Sequence, residues 1–159
     1  MFGLLKKKKK IDIFSPVDGQ IIELSKVEDE VFSQKLMGDG FGVIPTSDDI
    51  YAPIDGEVIS IFPTKHAITL KNAEGIEVLL HLGLDTVELK GAPFEVKVTV
   101  GQKVTSETLL VKMNREEIKN SGKQDTVLTI FTSQDKINDL NIVTQNITHS
   151  NICGDVVLK

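Results

Sequence analysis

The chain has 159 residues, a formal net charge of −5, 40% apolar residues and 26% charged residues. These values are typical of a globular domain and exclude a largely disordered protein. No apolar run approaches the roughly 20 residues that cross a bilayer, and the apolar residues 1–5 precede the first lysines, the reverse of a secretory signal. Because Cys153 is the single cysteine, no intramolecular disulfide can form, and we predict a cytoplasmic protein.

The positive charge at the start of the chain contrasts with an acidic remainder. Lys6 to Lys10 contribute +5, so the rest of the chain carries −10. A body this acidic repels nucleic acid, which we exclude as a partner. A block of like charges is typical of a solvated tail, so we predict a flexible basic tail over residues 1–10 and one domain over residues 11–159. The alternative is a weak contact between the segment from Met1 to Lys10 and an anionic membrane surface.

From residue 11 onward the sequence is typical of short strands separated by turns. Pro and Gly mark the turns, and alternating residues after them indicate half-buried strands. The predicted strands cover residues 20–24, 57–62, 66–70, 76–82, 94–100, 108–112, 126–132 and 154–159. Asn114 followed by Glu117 resembles a capping pattern and predicts a short helix ending near Gly122. The polar stretch 133–150 is predicted to run over the surface.

One motif occurs twice in the first half of the chain. Residues 15–22 and residues 52–59 both contain Pro-x-Asp-Gly followed by a strand-like sequence. Two copies are too few for a solenoid. They indicate two halves of one structure, so we predict an all-β (mainly β) fold, a sandwich or barrel with one or two short helices.

Two histidines flank a predicted β-hairpin. The turn at residues 72–75 contains Gly75, and a hairpin centred between Ala73 and Glu74 places His66 directly opposite His81. This pairing depends on the register, since a slip of one residue breaks it. Three interpretations remain open for two adjacent imidazoles: metal ligation, a nucleophile with its hydrogen-bonding partner, or structural polar residues.

Residues near the two histidines extend this candidate site. Gly83 lets a bulky group approach the His81 ring, and Asp85 can reach the site from the following loop. Thr64 lies two residues before His66, where its hydroxyl can orient one ring nitrogen. By contrast, His149 has no such partner and is predicted to be structural.

The chain resembles the IIA domain of the glucose-type enzyme II in the bacterial sugar phosphotransferase system. The resemblance rests mainly on residues 62–67 and 75–91, which include both histidines, and on residues 31–32, 38–41 and 52–56. It covers nearly the whole chain beyond the lysines and fits least well over 133–150. It implies a β-sandwich built on a duplicated hybrid motif, a free-standing IIA protein and no cofactor.

The resemblance also implies a phosphotransferase role for the two histidines. In this family the residue at His81 accepts phosphate from the phosphohistidine of HPr and passes it to a cysteine of a IIB domain during sugar uptake. The residue at His66 stabilises the phosphoryl group, and Thr64 orients His66. Asp39 and Asp85 are expected to flank the site.

Partner proteins are expected to dock on an apolar face around the histidines. By resemblance, the residues of that face are Phe41, Val43, Phe62, Ile68 and Leu79. Ile68 and Leu79 are also predicted, from the hairpin register, to pair on the face that carries the histidines. Regulated enzymes or transporters are further expected partners, with which His66 and His81 can share a bridging zinc ion.

Two alternative functions on a related β-fold remain open. A zinc-dependent hydrolase would use His66, His81 and Asp85, but catalytic zinc usually takes three protein ligands, of which Asp85 is a weak candidate. A biotinyl- or lipoyl-type carrier would use Lys112, which is followed by Met113 but preceded by Val111 instead of a methionine.

Overall fold

The computed structural model describes residues 9–159. The first eight residues, which hold most of the predicted basic tail and its membrane contact, lie outside the described residues. The described residues form fourteen strands, two short α-helices and three 3-10 turns.

The strands are, in chain order, β1 (Lys10–Phe14), β2 (Gly19–Glu23), β3 (Asp39–Pro45), β4 (Asp49–Tyr51), β5 (Gly56–Ile61), β6 (Ala67–Lys71), β7 (Glu77–Leu84), β8 (Phe94–Val96), β9 (Lys103–Val104), β10 (Leu109–Met113), β11 (Gln124–Phe131), β12 (Ile137–Ile142), β13 (Asn146–Ile147) and β14 (Ile152–Leu158). The helices are α1 (Glu30–Ser33) and α2 (Arg115–Asn120), and the 3-10 turns cover Leu24–Lys26, Thr86–Leu89 and Gln134–Lys136. Within residues 9–159, no helix combines the length and apolar character needed to cross a bilayer.

The strands of the described chain form three antiparallel sheets. Eight strands make the large sheet, in the order β13-β2-β3-β11-β7-β6-β5-β9, and the two small sheets have the orders β1-β14-β12 and β4-β10-β8. All three sheets contribute to one main core, which contains Ile13 of β1, Ile50 of β4 and Leu80 of β7, each fully buried. The mainly β, sandwich-like fold predicted from the sequence is confirmed.

The repeated Pro-x-Asp-Gly motif occupies equivalent places in the large sheet. β2 follows the first copy and β5 the second, and each lies next to the outermost strand of its half of the sheet. The segments leading into the two copies bond to each other's prolines: Phe14 N–H donates to Pro53 O over 2.8 Å and Tyr51 N–H donates to Pro16 O over 2.7 Å. The repeat therefore builds two similar halves that meet between β11 and β7.

Glycine is needed where each of these two strands begins. A Cβ at Gly19 would lie 2.1 Å from the carbonyl oxygen of Ile44, and one at Gly56 would lie 2.5 Å from that of Lys71. Because β2 pairs with β3 and β5 with β6, these close approaches come from the neighbouring strands. The glycine of the motif thus allows the neighbouring strand to come close in both strand pairs.

Two segments differ from the predicted elements. The polar stretch 133–150 contains β12 and β13. In β12, an edge strand, half-buried Ile137, Leu140 and Ile142 are interspersed with exposed polar residues. The large number of polar residues in this stretch hides that pattern in the sequence. The strand predicted over 94–100 stops at Val96, since β8 pairs with β10 only as far as Val111.

The short helix predicted after Asn114 is confirmed as α2, and the Asn114 side chain accepts a hydrogen bond from Glu117 N–H.

The register predicted for the β6–β7 hairpin is wrong by one residue. Lys71 pairs with Glu77, and Ala67 instead of His66 pairs with His81. The turn contains an additional residue because the Asn72 carboxamide oxygen accepts bonds from Glu74 N–H and Ile76 N–H, while Gly75 adopts φ +83°. The hairpin is therefore centred on Glu74.

Candidate functional site

The two imidazole rings meet despite the shifted register. Their centroids are 5.0 Å apart and their planes are inclined at 80°. His66 lies one residue before β6, after a turn in which Lys65 has φ +59°, so it need not follow the face alternation of that strand. The predicted convergence of His66 and His81 is confirmed, although the direct pairing is not.

His81 is held through one ring nitrogen. Its Nδ1 lies 2.8 Å from the carbonyl oxygen of Gly83. A carbonyl can only accept a hydrogen bond, so Nδ1 of the neutral ring carries the proton and Nε2 keeps a free lone pair.

The surroundings of His81 also keep its ring neutral. The pKa of His81 is lowered to about 4, chiefly by burial and also by the nearby His66, while the Gly83 bond and the charges of Asp29 and Asp85 act in the opposite direction. At neutral pH the free Nε2 lone pair is therefore available for attack on an electrophile.

His66 is held from the other side of the site. Thr64 Oγ1 lies 2.5 Å from its Nδ1, and the edge of the ring meets Phe62, with 5.4 Å between the centroids. The side chain is only 6% exposed, and burial lowers the pKa of His66. The predicted Thr64–His66 contact is confirmed, although Thr64 lies in a turn and not on a strand.

The two predicted acidic residues have different outcomes. Asp85 lies directly after β7 with φ +59°, and its charge raises the pKa of His81, so it does reach the site. Asp39 does not: it stands opposite Phe131 at the start of β3 and pairs with Lys35 over 3.4 Å. Through Leu128 of β11, His81 lies level with Gly42 of β3. Gly42 is about 10 Å along the strand from Asp39.

Asp29 also acts on His81, since its charge raises the pKa of that ring, and the sequence reasoning missed it. Its carboxylate caps α1 by accepting bonds from Val31 N–H and Phe32 N–H over 3.0 and 3.1 Å. The Phe32 ring then packs on His81, with 4.9 Å between the centroids. Asp is a common N-cap residue, so Asp29, two residues before the apolar pair Val31 and Phe32, was the available sequence signal for the start of this helix.

Gly83 leaves no room for a side chain, and the groups that approach it are Thr86 and the backbone of Gln124. It adopts φ +79°, and a Cβ at this position would lie 2.5 Å from the Thr86 methyl carbon and 2.8 Å from Gln124 O. Any larger residue would displace the carbonyl that holds His81.

Four of the five predicted docking residues are buried. Phe41, Val43 and Ile68 have no exposed surface and belong to the main core, so they cannot contact a partner. The correction follows from the register, because Ile68 pairs with Leu80 and both face away from His81. Leu79 does lie on the His81 face, in a second apolar cluster, but only 7% exposed, whereas Phe62 is 39% exposed.

Apolar side chains on the segments that carry Phe32, Phe62 and Asp85 are exposed instead. Val31 precedes Phe32 in α1, Leu36 and Met37 follow that helix, and Val87 lies two residues after Asp85. With Phe62 they form a set that we call the docking face. Its members are Val31 at 45% exposure, Leu36 at 67%, Met37 at 44%, Phe62 at 39% and Val87 at 48%.

The arrangement has no metal centre of its own. Within residues 9–159, no three His, Cys, Asp or Glu side chains are grouped closely enough to hold a metal ion. Lys112, the carrier candidate, stands within β10 with its amino group 3.7 Å from Asp49. Neither the zinc-dependent hydrolase nor the biotinyl-type carrier is supported.

A β-sandwich with two apposed neutral imidazoles, one with a free Nε2, has the features of a histidine phosphocarrier. Residues 11–137 match the family model of the phosphoenolpyruvate-dependent sugar phosphotransferase system, EIIA 1. The chain belongs to this family, as the resemblance in the sequence predicted.

Relatives and a solved structure agree with this assignment. The glucose-specific EIIA component of Staphylococcus aureus (strain COL) is 43% identical over 147 residues, which cover 92% of this chain and 89% of that protein. The glucose-specific EIICBA component of Streptococcus pneumoniae is 45% identical over 131 residues, 82% of this chain but only 18% of the longer relative. The structure of glucose permease IIA from Mycoplasma capricolum matches with a TM-score of 0.86 and 34% identity, covering 98% of this chain and 99% of that one.

The family assignment establishes the general activity. The chain is an EIIA component of the phosphotransferase system, a relay protein of phosphoryl transfer. The phosphocarrier function predicted from the sequence is confirmed at this level.

Proposed function

We propose that His81 is the phosphorylated residue of this EIIA protein. Its Nε2 attacks the phosphorus of the phosphohistidine of HPr, forming a new N–P bond as the N–P bond in HPr breaks. A cysteine thiolate of a IIB domain then attacks the same phosphorus, forming an S–P bond and releasing the His81 ring. The observation that carries this proposal is the 2.8 Å contact from His81 Nδ1 to Gly83 O, which leaves Nε2 as the nucleophile.

His66 stabilises the transferred group. When the Thr64 hydroxyl donates to Nδ1 of His66, the ring carries its proton on Nε2, within a ring that lies 5.0 Å from His81. That N–H can donate to a phosphoryl oxygen. Phosphoryl transfer depends mainly on positioning and charge stabilisation, which is what such a donor supplies.

The acidic neighbours make release of the phosphoryl group easy. Asp29 and Asp85 lie close enough to His81 to raise its pKa, so they also face the negative charge of a bound phosphoryl group. Repulsion destabilises the phosphohistidine, as a carrier that must pass the group on requires.

The docking face receives HPr and the IIB domain in turn. Its five exposed apolar residues include Phe62, whose ring contacts His66, and Val31, which precedes the residue that packs on His81. A small apolar surface of this kind suits partners that bind and leave quickly. Because the relatives in Staphylococcus aureus and Streptococcus pneumoniae are named glucose-specific, we propose a glucose-type permease as the source of the IIB domain.

Intact-mass spectrometry tests the assignment of the histidines. The protein is incubated with phosphoenolpyruvate, enzyme I and HPr, and masses are measured at mildly alkaline pH because phosphohistidine is acid-labile. Wild type is expected to gain one phosphate and His81→Ala none. His66→Ala is expected to gain phosphate but to pass it poorly to IIB. His149→Ala is the matched control, since this histidine stacks on Tyr51 with 3.9 Å between centroids, outside the site.

Each outcome decides a separate part of the proposal. Phosphate on His81→Ala would overturn the choice of nucleophile, and an unmodified wild type beside charged HPr would overturn the relay itself. Normal transfer to IIB by His66→Ala would remove its stabilising role. A comparison of glucose-type IIB with another IIB as acceptor tests the proposed sugar class.

We further propose a cytoplasmic location, where HPr and a IIB domain are both accessible. The lysines of residues 6–10 then offer weak, salt-sensitive contact with anionic lipid. Sedimentation with phosphatidylserine vesicles at low and high salt tests this contact, and equal binding by the chain without residues 1–8 would contradict it.

A further inference from the structure

We infer that Thr86 is a positioning residue that fixes the tautomer of His81 by holding Gly83 in place. The inference rests on the proposed role of His81 as the phosphorylated residue. Thr86 is not expected to touch the phosphoryl group. It acts on the backbone that carries the hydrogen-bond acceptor of the His81 ring.

The regular pairing of β7 with β11 is interrupted at Gly83, the residue whose carbonyl binds the His81 ring. In β7, Leu82 pairs with Val127 and Leu84 with Gln124, so two residues of β11 stand opposite Gly83 alone. This is a β-bulge, at which the regular hydrogen-bond ladder is interrupted. With φ +79°, the Gly83 backbone departs from extended strand geometry, and its carbonyl accepts a hydrogen bond from His81 Nδ1–H.

A glycine at such a position needs support from its surroundings, because it has wide access to other conformations. Thr86 provides this support twice. Its hydroxyl donates to the carbonyl oxygen of Leu82, which belongs to the peptide unit immediately before the Gly83 Cα. Its methyl carbon stands 2.5 Å from the point where a Cβ of Gly83 would lie, so it closes the space beside that Cα.

The burial of Thr86 makes this arrangement rigid. The residue has no exposed surface and opens the 3-10 turn that follows Asp85, itself at φ +59°. The hydroxyl therefore ties the turn to the last residues of β7. Without that bond the Leu82–Gly83 peptide is free to rotate, the Gly83 carbonyl can leave His81, and the ring proton can occupy either nitrogen.

Nitrogen-15 NMR of the imidazole rings in the unphosphorylated protein tests the inference. In wild type, the His81 signals are expected to report a proton on Nδ1 and an unprotonated Nε2. Thr86→Val keeps the shape and removes the hydroxyl, and a mixture of both tautomers is expected. Thr86→Ser keeps the hydroxyl and should restore the wild-type signals. Thr86→Ala carries the same expectation as Thr86→Val if the valine variant does not fold.

Thr129→Val is the matched control for loss of a buried threonine hydroxyl. Thr129 is also fully buried, but its hydroxyl has no hydrogen-bond partner among the described residues, and it faces the main core opposite Leu80. Its removal should leave the His81 signals unchanged.

Kinetics with phospho-HPr provide the second readout. Thr86→Val is expected to lower kcat for phosphate acceptance roughly tenfold or more, because a misplaced nucleophile loses the benefit of orientation. KM for phospho-HPr should stay near the wild-type value, since the docking face is untouched.

The two measurements separate this inference from the proposed function. A wild-type tautomer in both Thr86→Val and Thr86→Ala would overturn the positioning role, whatever the phosphorylation results. Failure of wild type to accept phosphate would overturn the proposed role of His81, while the NMR comparison would still report whether Thr86 controls its tautomer.

Discussion

The proposed chemistry of this carrier depends on keeping one imidazole neutral beside two carboxylates. Partial burial of the His81 ring is the main reason why its pKa is lowered to about 4, although Asp29 and Asp85 both favour the charged form. An exposed histidine is substantially protonated below pH 6.5, whereas His81 stays neutral. The packing of Phe32 on His81 is thus part of the proposed mechanism as well as of the fold.

A proton NMR titration of the histidine rings tests this balance. The His81 signals should move with a midpoint of about 4 in the folded protein. Asp29→Asn removes a charge but keeps a good N-cap, so it should lower the His81 midpoint further. Asp39→Asn is the control and should leave it unchanged, because Asp39 lies in another row of the sheet. A midpoint near 6.5, or equal effects of both variants, would contradict the assignment.

At the level of elements, the sequence predicted the hairpin and the two histidines but not how they meet. The register depends on the Asn72 side chain, which holds an extra residue in the turn, and this bonding has no signature in the alternation of residues. A slip of one residue changes the face of every side chain. Ile68, predicted on the face of the histidines, therefore lies in the core. The histidines still meet because His66 lies outside β6.

The contribution of α1 to the site was harder to predict. Helix α1 has only four residues, too few for a helical period to appear in the sequence. Its contact with His81 joins residues 49 positions apart along the chain, from Phe32 to His81. By contrast, the cap of α2 at Asn114 depends on residues three positions apart, and it was predicted correctly.

The central strand β11 carries a buried hydroxyl with no function in the core. Thr129 has no exposed surface, and its Oγ1 has no partner among the described residues. Thr129→Val should raise the free energy of unfolding by about 1 kcal/mol, since an unsatisfied buried polar group is replaced by a methyl. Thr86→Val should lower it by about 1–3 kcal/mol, because the Leu82 carbonyl loses its donor. Urea unfolding measures both, and destabilisation by Thr129→Val would contradict the first expectation.

For the whole molecule, the neutral histidines make folding sensitive to acid. The unfolded chain binds a proton at His81 near pH 6.5, but the folded chain does so only near pH 4. Between these values the unfolded state holds more protons, so stability falls as the pH drops through 6.5 and levels off below 4. The lowered pKa of His66 acts in the same direction.

Urea unfolding at pH 7 and pH 5 measures this linkage. His81 should account for about 2 kcal/mol of the stability lost between the two pH values. His81→Gln cannot bind the proton in either state, so its loss should be smaller by that amount. An equal loss in wild type and His81→Gln would contradict the linkage.

The small sheet β1-β14-β12 has a further consequence for how this domain is used. Lys10 in β1 pairs with Val157 in β14, so the first and last strands of the described chain run side by side, with paired Cα atoms about 5 Å apart. A neighbouring domain can therefore be joined before β1 or after β14 and emerge from the same end of this sheet. The same unit can serve as a separate carrier, as in Staphylococcus aureus, or as one segment of a longer permease, as in Streptococcus pneumoniae, without refolding around its connection.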